Sequence, residues 1–190
     1  VALTQLGRQA LEAGDAAGAK TLLERALVFP HNLGEGKLEG AKDNNIHYYL
    51  GLAERALGDE QAALHHLELA AAGDQEPAGA MYYNDQPADM ILYQGLANRA
   101  LGREERARSR FHKLISYGEK HYYDQVKIDY FAVSLPDLRL FDEDLTLRNR
   151  AHCEYLMALG SYGLGDTERA GKCYDAVLAI DCAHQGAILH

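Results

Sequence analysis

Tryptophan is absent from the 190-residue sequence, proline occurs four times and cysteine three times. Three thiols cannot all pair, and no signal-peptide pattern opens the chain, so the expectation is a reduced, cytoplasmic setting rather than a disulfide framework. No apolar run reaches the length of a membrane span. Basic residues are also scarce: 19 Lys and Arg face 28 Asp and Glu, for a net charge of −9. That balance speaks against nucleic acid, whose phosphates need clustered cations, and against docking on an anionic leaflet. The shortage of proline suits a helix-rich body, and 47% hydrophobic with 25% charged residues suits a globular chain with a packed core. The sequence starts at Val1 without methionine, which suggests a processed or excised piece of a longer protein. Composition names no activity.

A period supplies what composition does not. Gly14, Gly58, Gly102 and Gly165 each follow an Ala- and Leu-rich segment, three of them with Asp next in sequence (Asp15, Asp59, Asp166) and the other with Arg103. Five residues after each glycine stands an alanine (Ala19, Ala63, Ala107, Ala170), and four further on a bulky side chain: Leu23, Leu67, Phe111 and Tyr174. Seven residues before each glycine is a small residue: Gly7, Gly51, Gly95 and Ala158. A glycine ends a helix where the backbone turns left-handed, and an Asp after it caps the next helix. Small residues let two helices approach, and the large one fills the groove beside them. Each unit therefore reads as helix, tight turn, antiparallel helix. The spacing predicts helices over 2–13, 16–28, 42–57, 60–72, 87–101, 103–117, 142–164 and 166–180, with residues 127–133 as a short strand or a packed extended loop.

This pattern resembles the tetratricopeptide repeat (TPR). The resemblance implies an all-α, right-handed superhelix, an α-solenoid of about four hairpins, forming one domain over residues 1–190. The turn glycines lie 44, 44 and 63 residues apart, whereas a TPR unit takes about 34. The surplus falls in loops in and beside which tyrosine is concentrated.

Chemistry-bearing motifs are thin. His65 and His66 are adjacent and point apart on a helix. No Cys-x-x-Cys and no His-x-x-x-His occurs, and Cys153 and Cys173 read as small hydrophobes. Ser134 has no nucleophile elbow, and Asp142, Glu143 and Asp144 read as helix-capping acids. No metal, no cofactor and no catalysis by this piece is expected. Recognition is placed instead on the first helix of each hairpin, which lines the inner groove of a TPR array. In the repeat register Asn45, Tyr48 and Arg55 align with Asp89, Leu92 and Arg99, and with His152, Tyr155 and Tyr162. Any one of these tyrosines reads first as packing neighbouring hairpins, with ligand contact as the alternative. The loop Tyr83-Asn84-Asp85-Gln86, before Pro87 at a helix start, completes the candidate surface.

The segments Asn44–Gly51, Tyr83–Pro87 and Lys127–Asp137 resemble the C-terminal TPR region of a family of large bacterial proteins. In those, a β-rich domain of unknown function, similar to sugar-mutarotase folds, precedes the repeats. The resemblance, from about Leu33 to Gly186, implies the tail of a carbohydrate-related protein and assigns no catalytic residue here. Two functions follow as expectations: an accessory domain docking on the catalytic part of the same parent chain, or a stand-alone module that binds a protein or peptide. Direct carbohydrate binding by tyrosines and amides is the third.

Overall fold

The computed structural model describes residues 1–29, 42–79, 86–126 and 144–190. Among them are nine helices and no strand: α1 (Ala2–Glu12), α2 (Ala16–Leu27), α3 (Asn44–Ala56), α4 (Glu60–Ala71), α5 (Ala88–Ala100), α6 (Glu104–His121), α7 (Leu145–Leu164), α8 (Thr167–Ile180) and α9 (Gln185–Leu189). The fold is all-α and TPR-like. Eight of the helices pair as hairpins α1–α2, α3–α4, α5–α6 and α7–α8, joined by the expected turns. The proposed strand at 127–133 lies outside the described residues, as do Asp142 and Glu143.

The turns show why the period exists. Gly14, Gly58, Gly102 and Gly165 have φ of 82°, 86°, 75° and 85°, a left-handed backbone that costs a residue with a Cβ about 1–2 kcal/mol. That backbone turns two amides back onto the spent end of the first helix. At the second turn Gly58 N–H donates to Arg55 O at 3.1 Å and Asp59 N–H to Glu54 O at 3.0 Å. The other three turns repeat this pair of bonds. The carboxylates of Asp15, Asp59 and Asp166 accept from the backbone N–H of Gly18, Ala62 and Arg169 at 2.8–3.0 Å. Asp144 caps α7 in the same way, accepting from Thr146 and Leu147. Asp59→Ala is expected to lower stability by about 1 kcal/mol, measured by urea unfolding. Arg103, which holds the cap position of α6, is ion-paired with Glu68 instead.

Packing follows the same register. Ala19, Leu23, Ala63, Leu67, Ala107 and Phe111 are fully buried, and Ala170 nearly so. Each large side chain among them contributes about 1.5–3 kcal/mol through its burial. A Cβ at Gly7 would fall 2.6 Å from Leu23 Cγ, and one at Gly51 2.7 Å from Leu67 Cγ, so the small residue and the bulky one share one contact.

The chain divides into two compact units, Val1–Gln75 with Met90–Arg110, and Glu76–Asp89 with Phe111–His190. In the first, one core joins Ala19, Leu23, Ile46, Leu50 and Ala53, and another joins Leu67, Ala70 and Ala97. In the second, Met157, Ala158 and Cys173 pack with Tyr122 and Tyr174, and Phe111 lies against Gly160 and Gly163.

Two elements differ from expectation. Helix α6 continues to His121, because Gly118 leaves its backbone open to Cys153: a Cβ there would sit 2.6 Å from Cys153 O. Helix α9 has no repeat signature. It starts where His184 Nδ1 accepts from Ala187 N–H at 3.1 Å.

Candidate recognition surface

The two arginines of the expected stripe serve their hairpins. Arg55 donates to both carboxylate oxygens of Glu60 at 2.9 and 3.1 Å, across its own turn, and to Ala100 O at 3.2 Å. Arg99 repeats the pairing with Glu104 at 3.1 and 3.2 Å. These bonds hold Glu60 and Glu104 below the usual carboxylate range. Exposed pairs of this kind add about 0–1 kcal/mol.

Ten residues before the turn glycine, the register position of Tyr48 is mostly interior. Its counterparts Thr4, Leu92 and Tyr155 are 4%, 0% and 7% exposed, and Tyr48 packs against the Leu67, Ala70 and Ala97 core. Of the two readings open for Tyr155, groove or packing, the structure shows packing. Its ring lies 4.7 Å from that of His184 and 6.4 Å from that of Tyr174. Burial, then the negative charge of Asp89, push its phenol far above the ordinary tyrosine range. Gly186 covers it so closely that a Cβ would fall 2.3 Å from its hydroxyl.

The remaining candidates divide. Asn45 is half-buried, its Oδ1 accepting from Ile46 N–H at 2.8 Å. In the second unit His152 Nε2 lies 2.7 Å from Ala78 O, which makes that nitrogen the donor. Asp89 is half-buried and Gln86 buried in the same unit, and Tyr162 is exposed. Tyr83, Asn84 and Asp85 lie outside the described residues.

A different row of first-helix residues is partly open in the first unit. Gln5, Arg8, Tyr49, Leu52 and Leu96, nine or six residues before their turn glycines, are all half-buried. Tyr49 Oη lies 3.2 Å from Tyr93 Oη, and the Tyr48, Tyr49 and Tyr93 rings are 5.3–5.8 Å apart. Arg8 Nε donates to Glu12 at 2.9 Å. That bond, with the charge of Glu12, raises the guanidinium above its ordinary value despite burial. The face therefore offers amide, guanidinium and carboxylate groups from α1 beside aromatic and aliphatic side chains from α3 and α5. Sequence reasoning passed over Gln5, Arg8, Glu12, Leu52 and Leu96. The signal was the half-open register itself, which no single hairpin displays.

No group of three His, Cys, Asp or Glu side chains suited to a metal occurs among the described residues. Cys153 and Cys173 are free and buried, and desolvation pushes both thiols up to about 11. No helix among the described residues is long and apolar enough to cross a membrane.

Hairpins of this geometry define a class of helical-repeat proteins whose surfaces bind other chains. A tetratricopeptide-repeat family model matches residues 89–117, from the first turn of α5 into α6. The match falls on the α5–α6 hairpin, whose turn bonds recur in α1–α2, α3–α4 and α7–α8. Tetratricopeptide repeats serve protein–protein interaction and scaffolding, and TPR domains are typically non-catalytic.

Proposed function

We propose that this chain is a non-catalytic interaction module that holds a protein or peptide segment on the face formed by Gln5, Arg8, Tyr49, Leu52 and Leu96. The observation carrying the reading is the register: the position six before the turn glycine stays half-open on three successive first helices (Arg8, Leu52, Leu96). The position nine before it does so on the first two (Gln5, Tyr49), Tyr93 being 3% exposed, while the position beside them is mostly buried. An apolar anchor of the partner packs on Tyr49, Leu52 and Leu96, and its polar flank meets Gln5 and Arg8. As to the partner, the resemblance of the Asn44–Gly51, Tyr83–Pro87 and Lys127–Asp137 segments favours a carbohydrate-related domain of the same parent chain. The loop Tyr83-Asn84-Asp85-Gln86, with Asp89 and His152, is then a second candidate contact region.

Panning a displayed random-peptide library on the 190-residue chain tests this. Selected peptides are expected to lose about 30-fold in affinity on Tyr49→Ala, the size of an interface anchor, and to keep it on Arg99→Ala. Melting curves of both variants separate binding loss from unfolding. Peptides indifferent to Tyr49→Ala but lost on Asp85→Ala or Asp89→Ala would move the site to the loop region.

A further inference from the structure

Four titratable side chains that the recognition face does not use meet in the first unit. His47 on α3 and His66 on α4 stack with ring centroids 5.1 Å apart and planes at 21°, and their Nδ1 atoms are 2.9 Å apart. His66 Nε2 faces Glu54 Oε1 at 3.6 Å, and Lys20 from α2 reaches the same oxygen at 3.5 Å. The Glu54 side chain is 5% exposed, and its Oε2 has no hydrogen-bond partner among the described residues. The counterparts of Glu54 in the other hairpins are Ala10, Asn98 and Ser161, so this arrangement belongs to one hairpin and not to the repeat.

A bond between two Nδ1 atoms requires one to carry the hydrogen and the other a lone pair. With its Nε2–H toward Glu54, neutral His66 presents the lone pair and His47 donates. A first proton on His66 reverses the roles: His66 donates and His47 must accept. It also sets an imidazolium beside Lys20, in competition for Glu54 Oε1, the oxygen that Lys20 of hairpin α1–α2 reaches on hairpin α3–α4. A second proton places two donors 2.9 Å apart and two cations in one stack, and no arrangement of hydrogens satisfies both. We propose that the His47–His66 contact, backed by Glu54, is a proton-operated latch that fastens α3 to α4 and to α2 at neutral pH and releases them on acidification.

The charged surroundings fix the direction. Burial lowers the His66 pKa below 6.5; Glu54 and, more weakly, Glu24 pull it up, and His65 and Lys20 push it down. The unfolded chain therefore takes up this proton at a higher pH than the folded chain. Its contribution to folding is complete above about 6.5 and is lost as the pH falls toward the folded value.

The test uses the unmodified 190-residue chain, with histidine ring nitrogens followed by NMR from about pH 7.5 to about pH 5. The two rings are expected to titrate as a coupled pair, in two steps. Hydrogen exchange of α3 and α4 amides, corrected for intrinsic rates, is expected to speed up about tenfold per unit of pKa displacement, while α7 and α8 change less. His47→Gln, whose amide offers either a donor or an acceptor at any pH, is expected to flatten this response. Glu54→Gln should shift its onset to lower pH, having removed the charge that attracts the proton. Independent titration of the two rings at the ordinary histidine value, or an acid response in His47→Gln as large as in the parent chain, would overturn the latch.

Discussion

Phe111→Ala is expected to destabilise the chain by about 3–5 kcal/mol, the range for deleting a fully buried ring. Phe111 is 0% exposed, and its ring lies so close to Gly163 that a Cβ there would fall 2.2 Å from Cδ1. The backbone of α7 is already drawn in to the ring, so truncation leaves a cavity rather than a gap a neighbour can fill. At roughly 2–4 °C per kcal/mol for a chain of this size, the melting midpoint should fall by about 6–20 °C. Phe29→Ala is the control: that ring is 41% exposed, and its loss should stay within about 1 kcal/mol. Equal effects of the two substitutions would contradict the register assigned to Phe111.

The contrast between Phe111 and Tyr155 shows how far the sequence could be read. Phe111, Leu67 and Leu23 occupy a position defined by a turn glycine nine residues earlier. That turn is a local device, so helix ends and hairpin packing were legible to within a few residues. Tyr155 occupies an equally regular position, yet its burial depends on α9, which closes over it through Gly186 and has no repeat signature. For Arg55 and Arg99 it was the local partner that the sequence hid. Their partners Glu60 and Glu104 lie five residues on, across the turn, a spacing that helix-face reasoning does not pair. The half-open face of Gln5, Arg8, Tyr49, Leu52 and Leu96 arises only when three first helices stand side by side. Which residues touch within a hairpin was legible; which stay open between hairpins was not.

Gly160→Ala is expected to destabilise the chain, although alanine elsewhere in a helix interior gains up to about 1 kcal/mol over glycine. The reversed sign comes from backbone. A Cβ at Gly160 would sit 2.6 Å from Phe111 O, 2.6 Å from Ile115 Cγ1 and 3.2 Å from Ile115 N. The Ile115 side chain can turn aside, but the carbonyl is fixed in the hydrogen-bond ladder of α6, so α7 must shift. Gly160→Leu adds volume to that clash and should cost about 3 kcal/mol or more, the upper part of the range for overpacking. Gly58 is required for the opposite reason: its φ is 86°, and nothing lies within 4 Å of a Cβ built there. Asparagine, which visits the left-handed region at low cost, should be accepted in Gly58→Asn with a loss below about 1 kcal/mol. Gly58→Val should cost about 1–2 kcal/mol through its backbone alone. Thermal melts of these variants separate the glycine required for close approach from the glycine required for its turn. Gly160→Ala melting at or above the parent temperature would mean that α6 and α7 do not approach as closely as the Phe111 carbonyl requires.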